Sequence, residues 1–554
     1  MNIKLKLITA LSIAILMSNC SDENLSNSEN QNGSVAKSMS YENIPFDAKG
    51  KIMEKFGIGI SAALKVKEFR ELIKTESLKR FNKDTDVLYN LIKDQPFNGG
   101  DEYLRKFNKN SKVSNSPTLH DFLIPFFESE EELNKYENQL PLLTIFVPEL
   151  PENSFSAQIW DTNNPEQIPD VALRLDNITY TPVIGRDNDN YLIAPEDVPS
   201  WAIVVLKDNE RLITNTDPLF ASTQTRIIKG KDGVEYKFSD NNFDPLVNSN
   251  KTTSSSKIAS GFQGASDTSI PANLITAYNS FPNDPNAWHR DYIYYGLTAS
   301  NPNGPLNGNF REHIATFRVT GNTPQDAYNS IADAFNETKR DPALKADWQR
   351  RADGVNAWTD GSFEFLIKCF YGAKASNLGI TVNKEFPVNP DALFEISWEQ
   401  RRTGTAWWRR YYLRATITGT KTLNTALPSS GVRLEFPTWD LNDFSNQWKL
   451  TFHEKDATST TTEKEVRSSK FNANFSLEPS TGLLKKIGLK LGASLEKSES
   501  NEFTVLIQGG NDDLGEHIVN FRDYPLIKVG NNYQLRKYNS ANIEFSFVPL
   551  QVQF

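Results

Sequence analysis

From Pro141 onward the apolar residues come in short runs set off by Pro, Asn, Asp and Gly. Leu142 to Val147, Ser156 to Trp160, Val171 to Leu175, Thr179 to Ile184 and Trp201 to Leu206 are rich in β-branched and aromatic residues. Runs this short cannot fill a helix face, so the texture predicts small antiparallel sheets. From about residue 385 the chain is again almost wholly strand-like. The opposite texture lies upstream. Val66, Phe69, Leu72 and Ile73 recur at helical spacing, and Asp84 or Thr85 would cap a further helix bearing Val87, Leu88, Leu91 and Ile92. Gly99-Gly100 breaks that pattern. Thr323-Pro324 opens another helix-like stretch, with Ala327, Ile331, Ala332 and Phe335 on one side.

These textures predict an α+β multidomain chain. A signal segment at 1–19 and a lipidated tether at 20–40 precede a helical region at 41–140. A small antiparallel β domain at 141–238, a Ser/Asn/Thr-rich linker at 239–270, a mixed α/β region at 271–384 and a sandwich-like β-rich domain at 385–554 complete it. At about 150 residues per domain, 554 residues agree with three or four such units.

The N-terminus reads as an export address. Lys4 and Lys6 precede the apolar run Ile8 to Met17, which is too short to span a bilayer as a helix. The stretch Leu16-Met17-Ser18-Asn19-Cys20 resembles a lipoprotein lipobox, which implies lipid attachment at Cys20. Ser21-Asp22-Glu23 resembles the acidic export tag of Bacteroidota lipoproteins, which implies a chain anchored in the outer membrane and facing the cell exterior. Residues 21–40 are rich in Ser and Asn and too poor in apolar residues to fold, so they should act as a flexible tether. With Cys20 acylated, Cys369 has no partner; its aromatic surroundings predict a buried small hydrophobe.

Sequence motifs for catalysis are sparse. The five histidines, His120, His289, His313, His453 and His517, lie more than ten positions apart. HExxH, paired CxxC, GxSxG and P-loop patterns are absent, which removes the common zinc hydrolases, α/β-hydrolases and P-loop NTPases. A formal net charge of -9 argues against nucleic acid as a partner. No cofactor or metal is expected. Gly57-Ile-Gly59 has dinucleotide-fingerprint spacing without a preceding strand, and Asp187 to Asn190 reads as a polar turn. Asp440, Asn442 and Asp443 are separated from Glu454 and Asp456 by a strand that would hold the two groups roughly 20 Å apart, too far for one metal.

Two constellations remain. Ala392 to Gln400 and Thr405 to Thr416 read as paired strands, the second carrying Trp407-Trp408-Arg409-Arg410-Tyr411-Tyr412. Arginines beside aromatic rings can hold sugars, phosphates or lipid head groups, so Trp407, Arg409, Arg410, Tyr411 and Tyr412 are the candidate ligand-binding residues. The same pattern also makes a stable sheet, with Glu395 and Glu399 as counter-charges. Between Ser469 and Glu496, Phe471, Ala473, Phe475 and Leu477 alternate with polar residues. Ile487, Leu489, Leu491, Ala493 and Leu495 do the same after a Pro-Ser-Thr-Gly turn at 479–482. With its Ser/Thr-rich flanks this segment resembles the insertion hairpin of aerolysin-type β-pore-forming proteins, which implies a strand pair able to join a membrane barrel. A soluble hairpin with one face in a core has the same alternation.

The Phe69-Arg70 helix, the Leu142 to Pro148 strand and the Trp439-Asp440-Leu441 turn resemble large secreted Bacteroidota proteins without assigned activity. The leading expectation is a non-enzymatic surface lipoprotein, held to the membrane by its lipid and binding a polysaccharide or another envelope macromolecule. The alternatives are a membrane-active β-hairpin protein and a hydrolase with scattered carboxylates.

Overall fold

The computed structural model describes residues 41–107, 116–175, 180–187, 189–195, 197–247, 270–281, 288–298, 300–301, 304–332, 357–373, 376–403, 410–425, 432–455, 466–474, 500–508 and 512–552. Helices and strands are mixed throughout, as an α+β chain requires.

Asp47 starts α1 (Ala48–Leu64) by accepting the Gly50 N–H at 2.6 Å. The helix lies very close to its neighbours: a Cβ on Gly57 would sit 2.4 Å from Ile184, and one on Gly59 2.4 Å from Leu123. The glycine pair with fingerprint spacing is therefore a packing face. After α2 (Lys67–Leu78) comes β1 (Asp86–Leu88), where the sequence suggested helix. All three residues of β1 are buried and pair with a strand on one edge, and that pairing overrides the weak helical spacing. Only the single turn α3 (Tyr89–Ile92) is helical there. Helices α4 (Gly100–Phe107), α5 (Leu119–Leu123) and α6 (Glu130–Gln139) follow, α5 with a Thr118–Asp121 capping box.

The first sheet uses β1, β2 (Leu143–Phe146), β3 (Asp170–Leu173), β4 (Thr181–Ile184), β5 (Tyr191–Ile193) and β7 (Ile203–Asp208), in the order β1-β2-β7-β3-β4-β5. It is not purely antiparallel, because β3 runs parallel to β7. Ser156 to Trp160 forms turns rather than a strand. There Trp160 is fully buried and donates its indole N–H to the Gln167 carbonyl at 3.0 Å. Helices and sheet close a single core from Tyr41 to Leu206. The short β6 (Asp197–Pro199) leaves this sheet altogether and pairs elsewhere.

A small sheet of β8 (Leu212–Thr214), β9 (Ile227–Lys229) and β10 (Glu235–Phe238) precedes α7 (Ala272–Asn279) and α8 (His289–Tyr295). Then come β11 (Phe310–Val319), α9 (Pro324–Asn329), α10 (Ala357–Asp360), β12 (Phe363–Ala373), β13 (Ser376–Val388) and α11 (Pro390–Leu393). Thr323 caps α9 as expected, and Ala327, Ile331 and Ala332 are buried; Phe335 lies outside the described residues. The last strands are β14 (Phe394–Thr403), β15 (Arg410–Thr420), β16 (Leu423–Asn424), β17 (Phe444–Glu454), β18 (Val466–Asn474), β19 (Ser500–Gln508), β20 (Asp512–Asn520), β21 (Leu526–Val529), β22 (Asn532–Leu535), β23 (Tyr538–Ser540) and β24 (Ile543–Gln551).

Two of the resulting sheets, β16-β11-β24-β23 and β13-β12-β17-β20, face each other as a sandwich. Aromatic rings lock the faces: Phe317 meets Phe365 edge-on at 4.8 Å, and Phe452 lies 4.6 Å from Phe545. Trp439 stacks on Trp448 at 4.3 Å in the same core. Cys369 is fully buried there, and burial raises its thiol pKa well above the ordinary value, as befits a small hydrophobe.

Candidate functional site

The aromatic and basic strand is β15, paired with β14 as expected. The register sets Arg402 opposite Tyr411, Arg401 opposite Tyr412 and Glu399 opposite Arg414. Its other edge takes β6 from the first unit, through Tyr412–Pro199, Leu413–Val198 and Arg414–Asp197 pairs. Arg414 donates to the Asp197 carboxylate at 3.0 Å. Burial raises the Asp197 pKa even though Arg414 favours the charged form. Tyr412 is buried and meets Trp201 edge-on at 5.0 Å, so its ring is spent on the core and has no face for a ligand. Tyr411, at 39 % exposure, is open to solvent. Arg410 opens β15 opposite Thr403. Trp407, Trp408 and Arg409 lie outside the described residues, as does Cys20.

Within the amphipathic segment β18 pairs with β19, Phe471 opposite Phe503, from Val466–Gln508 to Asn474–Ser500. On β19 the apolar residues are Phe503, Val505, Leu506 and Ile507. Strand period sets Arg467, Ser469, Phe471, Ala473, Asn501, Phe503, Val505 and Ile507 at the positions of one face of this ribbon. Val466, Ser468, Lys470, Asn472, Asn474, Ser500, Glu502, Thr504, Leu506 and Gln508 take the other, so one face carries five of the seven apolar positions and the other is mostly polar. The ribbon lies against β12, β13 and β17. Residues 475–499, with the rest of the alternating pattern, lie outside the described residues.

Sequence reasoning missed a buried ionic joint between the first unit and the sandwich. Arg211, fully buried in the turn into β8, donates to Glu364 at 2.8 Å and to Asp84 at 2.7 Å. Lys207 pairs with Glu210 and lies 3.6 Å from Asp86, with its ammonium 4.8 Å from the centre of the Phe146 ring. Asn82 and Asn209 donate to Asp86 at 2.7 and 3.1 Å. Four carboxylates thus face two cations out of water. Burial pushes the Glu364 pKa up to about 8 and that of Glu210 up to about 7, although Arg211 and Lys207 oppose the shift. These residues are far apart in sequence and unremarkable locally; only the alternation of Glu364 within an apolar strand could have flagged them.

A second buried carboxylate, Glu137, accepts from Tyr89 at 2.6 Å and Lys93 at 2.7 Å, and lies 2.8 Å from His120 Nδ1. This hydrogen bond raises the His120 pKa, and the cluster ties α3, α5 and α6 together. Asp440, Asn442 and Asp443 sit at the start of β17 and Glu454 at its end, as the strand length required; Asp456 lies outside the described residues. Among the described residues no three His, Cys, Asp or Glu side chains converge to hold a metal. No helix among them is long and apolar enough to cross a membrane. No protein family matches the chain, and searches of curated proteins and of solved structures found no match.

Proposed function

We propose that this chain is a lipid-anchored surface protein, held at the outer membrane through Cys20 and facing outward, whose C-terminal ribbon acts on a lipid surface. The observation that carries this reading is the β18–β19 register, which gathers five of the ribbon's seven apolar positions on one face of a strand pair, beside Arg467, Ser469 and Asn501. A strand enters lipid only with its backbone groups paired and its apolar residues outward. The ribbon already pairs the backbone groups between its two strands, and joining further copies in a closed barrel would pair those at its outer edges.

A second reading is favoured by one placement. The open end of β14–β15 sets exposed Tyr411 opposite Arg402, beside the Arg401 position. An exposed tyrosine opposite an arginine position suits an anionic polysaccharide or lipopolysaccharide head group.

One experiment addresses both. The Cys20→Ser chain, which cannot be acylated, is mixed with dye-loaded vesicles made with and without lipopolysaccharide. The membrane reading expects dye release and ring-like oligomers on both kinds of vesicle. Co-sedimentation with lipopolysaccharide vesicles alone, without leakage, supports the envelope-binding reading and overturns the first. Neither binding nor leakage overturns both.

A further inference from the structure

The outer face of the β13-β12-β17-β20 sheet, the one turned away from the sandwich core, is covered only along its middle. On β12, Phe365, Ile367, Cys369 and Tyr371 enter the core, so Leu366, Lys368 and Phe370 take the outer face. The register sets them opposite His453, Thr451 and Lys449 of β17. All six are buried. On the flanking strands Thr381 and Asn383 of β13 and Glu516 and Ile518 of β20 are exposed. The β18–β19 ribbon runs against β12, β13 and β17, and this placement makes it the cover of the strip.

The berth is an unusual one for an amphipathic ribbon. Two lysines, a threonine and a histidine alternate with only two apolar side chains. Lys449 is held by Glu516 at 2.7 Å, and His453 Nε2 lies 3.0 Å from the Thr451 hydroxyl. Keeping such groups from water costs free energy that apolar contact must offset, so the ribbon rests on a strip that would gain hydration if it left. A neutral imidazole can stay in this place; an imidazolium there would add a third cation beside Lys368 and Lys449.

We propose that the ribbon is docked reversibly on this strip and that protonation of His453 releases it. The inference deepens the membrane reading, on which it rests only for what the freed ribbon then meets. The groups facing His453 are Lys368 from β12, Asp513 and Glu516 from β20, and Thr451 and Lys449 from its own strand. The charged residues of the ribbon strands are Arg467, Lys470 and Glu502. Burial holds the imidazole pKa down to about 4; Asp513 and Glu516 work against this, and Lys368 adds to it. Between that value and the ordinary 6.5 the released state binds more protons than the docked one. Docking is therefore intact above pH 6.5 and weakens as pH falls, by up to about tenfold per pH unit.

Hydrogen exchange on the Cys20→Ser chain, corrected for the intrinsic pH dependence, tests this between pH 7.5 and 4.5. Peptides covering 466–474 and 500–508 should lose protection below pH 6.5, while β11 and β24 peptides keep theirs. His453→Gln should flatten the ribbon profile. Lys368→Met, which removes a cation beside the imidazole and so lets its docked pKa rise towards the ordinary value, should make the loss smaller and move it to lower pH. A wild-type profile without pH dependence, or the same profile in wild type, His453→Gln and Lys368→Met, overturns the inference. Vesicle leakage at pH 5 separates the two ideas. Release without leakage supports the switch and overturns the membrane reading. Leakage with a ribbon that stays protected overturns the switch and supports membrane action.

Discussion

Glu364 shows how a single residue can join two parts of a molecule. It alternates with core phenylalanines on β12 and meets Arg211, which comes from a turn in the first unit. Buried ion pairs of this kind contribute little net stability, yet losing one partner strands the other and costs about 3–5 kcal/mol. Here the ionisation itself is shifted. Both Glu364 and Glu210 hold their protons to well above the ordinary carboxylate value of 4.5, to about 8 and about 7. The unfolded chain releases those protons near 4.5, so the stability they bring is whole below that pH and is lost as pH rises through 7 and 8. Urea unfolding at pH 6, 7.5 and 9 should show falling stability, with each group contributing up to about 1.4 kcal/mol per pH unit within its window. Glu364→Gln should reduce that slope; an unchanged slope would remove Glu364 from the account. None of this was legible in the sequence, because desolvation belongs to the fold and not to a motif. Tyr412 carries the same lesson: its neighbours predicted a ligand face, and a strand arriving from position 197 covered it.

At the level of elements the sequence was a better guide where local chemistry decides. The Thr323-Pro324 helix start marks a boundary that the structure keeps. It failed where a distant partner decides. Val87 and Leu88 fit a helix until β2 offers an edge, and Ser156 to Trp160, read as a strand, turns to bury Trp160 instead. For β18 the partner, β19, lies twenty-six residues beyond its end. Cross-linking tests that pairing. In a Cys20→Ser background, Ser469→Cys with Val505→Cys occupies directly opposed positions and should form a disulfide. Asn472→Cys with Leu489→Cys matches the hairpin drawn from the 479–482 turn and should stay reduced. The reverse result would support the shorter hairpin.

Across the whole molecule, two cores are held together by parts lent from one to the other. β6 leaves the first sheet to edge β15, and the Arg414–Asp197 bond spans 217 positions. Composition and periodicity could announce an α+β chain with a sandwich-like end, but not which segment would cross between units. The sandwich in turn depends on the last strand, for β24 lies inside its sheet between β11 and β23. A chain ending at residue 542 should therefore keep a protease-resistant core over 41–206 and lose resistance in the sandwich. Limited proteolysis followed by mass mapping checks this, and a resistant sandwich in the shortened chain would refute it.

The position of β24 also sets an order of events in time. β11 waits for a partner more than two hundred residues downstream, so its edge and the aromatic faces behind it stay open until β24 has been made. For any chain threaded through a membrane N-terminus first, the sandwich would close only after β24 had crossed, and β11 would need shielding from wrong edges for that interval.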